Sequence, residues 1–239
     1  MWRQKILFKV LVLTNLVSLI FLAIIAFHYK VPQKVLMKMG IIEYNNQDVN
    51  QRYIARDDLF SKYQQMQYRI VMLGDSITEW ISWNELLGIT DIANRGIAGD
   101  TTEGFYNRLS TVYSVNPEMC FIMGGINDIH QGISVNEITI SIKKLIEELT
   151  LNGIKPIIQS TLYVSIKYPN WKKVNKIVDE LNNEIKKICI EKDIIFMDIN
   201  AVLSIDGALK KENTYDGVHL TGYGYTEWGK LLKPIIETH

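Results

Sequence analysis

At 239 residues the chain is long enough for one domain with a sizeable core and a short accessory segment. Lys and Arg together number 26, as do Asp and Glu, so the formal net charge is zero and no nucleic-acid partner is expected. Two cysteines cannot make a disulfide framework; Cys120 in an apolar run and Cys189 in a periodic one read as small core residues.

Taken in chain order, the first feature is an apolar stretch. Ile6 to Phe27 is almost wholly hydrophobic, broken by Lys9 and softened by Thr14, Asn15 and Ser18. As a helix rising about 1.5 Å per residue it would extend about 33 Å, enough to cross a bilayer core. It ends in LAIIAFHYK, which lacks a small-x-small cleavage site, so residues 1–27 are expected to be an uncleaved membrane anchor. Arg3, Lys5 and Lys9 favour a cytoplasmic N-terminus while Lys30, Lys34 and Lys38 pull the other way; the expectation is a domain outside the cytoplasm. Residues 28–48, with Pro32, Gly40 and the NNQD tract, read as a connector. A main domain over 49–239 follows.

From 49 to 67 the apolar spacing predicts a helix leading into the first strand. Short apolar runs then resemble buried strands at 68–74, 91–97, 118–125, 155–162 and 193–199. Amphipathic stretches at 134–152, 171–191 and 222–236 predict helices between and after them. Apolar strands alternating with helices imply a five-stranded parallel sheet covered on both faces, a three-layer α/β/α domain. In such a sheet ligands bind beyond the carboxyl ends of the strands.

Four clusters sit at those ends. VMLGDSITEW ends the first strand in Gly-Asp-Ser, and Ser76 fits a helix N-cap as well as a nucleophile. The two roles are compatible, since backbone N–H groups at a helix start suit a developing oxyanion. Thr78 stands where a G-x-S-x-G elbow would need glycine. In NRGIAGDTT, Gly96 could relieve a turn or bring its N–H close to a ligand, and Gly99 lies in the same loop. In GGINDI, Asn127 and Asp128 suit an Asx-turn, or Asn127 offers an amide donor to an oxyanion. In YDGVHLTGYGY, Asp216 and His219 could be a surface turn, or Asp216 could orient His219 as the base for Ser76.

In this order these blocks resemble the SGNH (GDSL-type) hydrolases: GDS at 74–76, NRGIAGD around Gly96, G-I-N-D at 125–128 and D-G-V-H at 216–219. The resemblance covers about residues 50–237 and is greatest to small bacterial esterases related to platelet-activating-factor acetylhydrolase catalytic subunits. It implies a flavodoxin-like sheet and a Ser76–His219–Asp216 triad. It also implies an oxyanion hole formed by the Ser76 and Gly96 N–H groups and the Asn127 amide, with no metal or organic cofactor.

Among other candidates, Trp80, Trp83 and His130 could wall the substrate, although such aromatics more often pack helix on sheet. No His pair has metal-ligand spacing. The expected activity is hydrolysis of short acyl esters, acetyl first, of a carbohydrate or similar small molecule. Lysophospholipase, acyl transfer and an anchored carbohydrate-binding domain without catalysis are the alternatives, and oligomeric state is left open.

Overall fold

The computed structural model describes residues 51–63 and 66–238, together with the single positions Asn15 and Ser18. Apart from those two positions, the expected membrane span at 6–27 and the connector at 28–48 lie outside the described residues. Among the described residues, no helix is long and apolar enough to cross a membrane.

The helix expected over 49–67 is α1, Gln51–Lys62. The central sheet consists of β1 (Ile70–Gly74), β2 (Ile92–Gly96), β3 (Met119–Met123), β4 (Lys155–Gln159) and β5 (Ile195–Met197), in the order β2-β1-β3-β4-β5. All four pairings are parallel. Alternate side chains of each strand enter different cores. Val71, Leu73, Cys120, Ile122 and Ile158 pack on one face, and Ile70, Met72, Met119, Phe121 and Ile157 on the other. That double burial is why the strands read as unbroken apolar runs rather than as alternating ones.

The first face is covered by α4 (Thr102–Asn107), α7 (Val135–Leu151) and α8 (Trp171–Glu191); α5 (Ser110–Tyr113) is a short connecting helix, and the short helices α2, α3 and α6 are given their ranges below. In α7, Ile138, Ile142, Leu145 and Leu149 recur at helical spacing, and a capping box between Ser134 and Glu137 fixes its start. The second face is covered by α3 (Trp83–Leu87) and α10 (Gly222–Thr238), through Trp83, Leu87, Trp228, Leu232 and Ile236. Both cysteines are free and buried in the first core.

Two features differ from the expectation. The fifth strand is three residues long. The chain then turns through α9 (Asn200–Leu203) into a small antiparallel hairpin of β6 (Ser204–Ile205) and β7 (Ala208–Leu209), pieces too short to give a sequence period.

The chain runs from β1 outward to β2, then crosses back to β3 on the other side of β1. This reversal is the point at which sheets of this kind open a crevice. Three of the four sequence clusters leave the sheet there.

Candidate active site

Ser76 opens α2 (Ser76–Glu79), two residues beyond the end of β1. The capping residue is Asp75, not Ser76: its Oδ1 accepts from the Ile77 N–H at 2.9 Å. Ser76 thereby keeps its hydroxyl for other partners, and its own N–H, in the first turn, has no acceptor within the helix.

His219 comes from the loop before α10, 143 residues away in sequence, and its Nε2 lies 3.0 Å from Ser76 Oγ. Its Nδ1 lies 2.6 Å from Asp216 Oδ2. Asp216 Oδ1 accepts from the backbone N–H groups of Val218, at 2.9 Å, and His219, at 2.8 Å. Partial burial pulls the Asp216 carboxyl upward, but these hydrogen bonds, led by the one from the His219 ring, outweigh it and hold the group below its ordinary value. An ionised Asp216 can only accept, so the proton sits on Nδ1 and Nε2 is left to accept from Ser76. The loop is held from behind, where Thr214 Oγ1 donates to the His219 carbonyl at 2.7 Å and the Ser165 N–H donates to the Gly217 carbonyl at 2.8 Å.

Asn127 lies in α6 (Ile126–Gln131), directly after β3, and its Nδ2 donates to the Asp100 carbonyl at 2.9 Å. One amide hydrogen is thus used to orient the group and one remains. Asp128 is buried and serves structure, accepting from Thr102 Oγ1 at 2.6 Å and from the Thr102 N–H.

The structure corrects the expectation for Gly96. Its N–H donates to Asn94 Oδ1 at 2.8 Å, so it is not available to an oxyanion. Glycine is required there for packing, because a Cβ would lie 2.3 Å from the Glu79 backbone nitrogen in α2. Three residues on, Gly99 has φ +79, is exposed, and its N–H has no hydrogen bond among the described residues. Both its neighbours are pinned. Glu79 Oε2 accepts from the Ala98 N–H at 2.8 Å, and the Asp100 carboxylate pairs with Arg108 Nε at 2.7 Å. Gly99, read in the sequence only as a second glycine of this loop, is thus the one of the two whose N–H is left without an acceptor among the described residues.

Trp80, 54% exposed, lies with its ring nearly parallel to His219 at 5.2 Å between centroids and to Tyr215 at 6.1 Å. Trp83, expected as a second wall, is 1% exposed instead. Its Nε1 donates to the Thr78 carbonyl at 3.0 Å and its ring meets Trp228 edge-on at 4.8 Å, so its place is in the core between α3 and α10. His130 stacks on Tyr168 at 5.2 Å, and Tyr168 lies against Gly217 of the loop that carries His219.

The sequence model of the GDSL-like lipase/acylhydrolase family matches residues 72–226, well over half of the chain and all four blocks. The chain belongs to that family. It is an ester hydrolase of the GDSL type, and among solved structures it is similar to a GDSL-like lipase from Bacteroides thetaiotaomicron. That similarity has a TM-score of 0.69 at 26% identity and covers 78% of this chain and 97% of the other. Rat platelet-activating factor acetylhydrolase IB subunit alpha2 is 26% identical over 179 residues, 70% of this chain and 74% of that protein. An N-acylneuraminate cytidylyltransferase of Streptococcus agalactiae is 30% identical over 153 residues, 63% of this chain; the match spans only 34%, about a third, of that enzyme.

One feature beneath the GDSL serine has a measurable consequence for stability. Asp75 is 0% exposed, and its Oδ2 has no hydrogen-bond partner among the described residues. Burial, reinforced by the charges of Asp100 and Asp128 against the Ile77 hydrogen bond, pushes its carboxyl up to about 7. Between its ordinary value and that one the native state binds more protons than the unfolded state, so Asp75 makes stability fall as pH rises through this range. Asp75→Asn removes this dependence while keeping the acceptor for Ile77. Urea unfolding should show the variant gaining on the parent between pH 4.5 and pH 8, by on the order of 4 kcal/mol at most. A constant difference across that range would mean that Asp75 does not titrate there.

Proposed function

We propose that this GDSL hydrolase is a serine esterase using Ser76, His219 and Asp216, and that it removes short acyl groups, acetyl first, from a carbohydrate or similar small ester. The observation that carries the reading is the unbroken hydrogen-bonded chain from Ser76 Oγ through the two His219 nitrogens to Asp216. Ser76 attacks the ester carbonyl as its proton passes to Nε2, and Asp216 keeps Nδ1 protonated and stabilises the imidazolium. The tetrahedral oxyanion is met by the Ser76 and Gly99 N–H groups and the free hydrogen of the Asn127 amide. The alcohol leaves with the proton from Nε2, and a water deprotonated by the same nitrogen then releases the acid.

Support for a small acyl group and a sugar comes from three sides. The acetylhydrolase subunit is named for an acetyl ester and the cytidylyltransferase for an acylated sugar. Trp80 and Tyr215 offer exposed aromatic faces beside His219, of a kind on which a sugar ring can lie. A cavity of about 580 Å³ lies along Glu79, Trp80 and Asn94, and another of about 260 Å³ along Trp171, Leu209 and Tyr215. Neither is lined by Ser76 or His219, so neither supports a long acyl groove leading from the nucleophile. The hydrophobic stretch at 6–27 supports attachment to a membrane, with the hydrolase outside the cytoplasm.

The test is p-nitrophenyl ester hydrolysis by the full chain over increasing acyl length. The rate is expected to be highest on acetate and to fall beyond about four carbons, as a shallow acyl site requires. A rate that rises with chain length would replace this reading with a lysophospholipase.

A further inference from the structure

We propose that Arg108 is a positioning residue of this esterase, a buried guanidinium that holds in register the strand-end segments presenting the oxyanion donors. The proposal rests on the serine-esterase reading above. Arg108 follows α4 directly and its side chain is 0% exposed. Nε donates to Asp100 Oδ2 at 2.7 Å, Nη1 to the Arg95 carbonyl at 2.8 Å and Nη2 to the Gly74 carbonyl at 3.1 Å.

Each acceptor belongs to a segment that carries a donor. Gly74 ends β1, two residues before Ser76. Arg95 lies at the end of β2, where the chain turns into the loop of Gly99. Asp100 closes that loop, and its own carbonyl is what Asn127 Nδ2 grips. One side chain therefore connects the exits of β1 and β2 with the group that orients the donor after β3.

Core filling alone would not select this residue. Taking a guanidinium out of water is costly unless its donors are matched, and here every nitrogen has a partner. The three acceptors diverge, and only the planar fork of arginine reaches all of them; the single ammonium of lysine cannot. The Asp100 carboxylate is in contact with it, and Arg108 opposes the burial that pushes that carboxyl up, while the Arg95 guanidinium is a second buried cation nearby.

A displaced donor loses transition-state stabilisation without changing how the ground-state ester binds. Arg108→Lys is therefore expected to lower kcat about 100-fold, the effect of losing one well-placed oxyanion donor, with KM moving less than about 3-fold. The decisive measurement is a double-mutant cycle with Asn127→Ala. If Arg108 acts through the oxyanion hole, the double variant is scarcely slower than the slower single one; independent losses would multiply. Asp100→Asn is the second probe, because it weakens the ion pair and leaves the arginine in place. It should lower kcat about 10-fold or more and be coupled to Asn127→Ala in the same way, and it decides the question if Arg108→Lys does not fold. A kcat within about 3-fold of the parent in the folded variant, or multiplying losses, overturns the proposal. Ser76→Ala separates the two readings: activity surviving there removes the serine mechanism itself, whereas an inactive Ser76→Ala beside a normal Arg108→Lys removes only the role of Arg108.

Discussion

Ser76→Ala is expected to lower ester hydrolysis by about 10⁴-fold or more while the protein stays folded. The substitution removes the atom proposed to attack, and the neighbouring hydroxyl and carboxyl groups are placed elsewhere. Thr78 is buried with its hydroxyl against Gly74, and Asp75 is committed to capping α2. The structural cost is small because Ser76 is not the cap of its helix, so alanine at this first helical position removes no backbone hydrogen bond. His219→Ala should approach the same floor, since nucleophile and base act as a unit and their losses do not add. Rates on p-nitrophenyl acetate, with circular dichroism as the control, give the answer. Activity within about 10-fold of the parent in Ser76→Ala would end the proposed mechanism.

Asn127→Ala should cost about 10²–10³ in kcat, with KM little changed. Its amide has one hydrogen on the Asp100 carbonyl and one to spare, an arrangement that aims the spare one without consuming it. In the substrate complex that hydrogen would gain most as charge develops on the carbonyl oxygen, which is why the loss falls on kcat. Asn127→Ala also leaves the Asp100 carbonyl without that donor, so some loss of stability accompanies it, about 1 kcal/mol. A change mainly in KM would instead make Asn127 a ground-state substrate contact.

The sheet was legible because its strands are buried on both faces. Continuous apolar runs around Ile70–Leu73 and Cys120–Ile122 leave no other reading when helical periods separate them. The helix starts were legible where capping chemistry is local, as at Ser134 and Glu137. The hairpin at 204–209 was not, because four paired residues carry no periodicity.

At the site, the positions of Ser76, His219, Asp216 and Asn127 followed from strand ends, and the hydrogen bonds between them are tertiary facts that no spacing can supply. Gly96 illustrates the limit. A glycine at a strand end announces that something comes close, but not whether it is a ligand or a neighbouring helix; here it is Glu79 of α2. Trp80 and Trp83 are three residues apart, yet one faces solvent and the other the core, because Trp80 caps the end of α2 and Trp83 opens the next helix, α3.

Asp216 and His219 lie three residues apart on one loop, and the carboxylate is secured by backbone N–H groups of that same loop. The acid–base half of the proposed triad is therefore a cassette on one short loop, braced from behind by the Ser165 N–H on the Gly217 carbonyl. What the fold contributes is the docking of that cassette against Ser76. In the proposed mechanism, a small displacement of this loop would part His219 from Ser76 while leaving the His219–Asp216 pair intact.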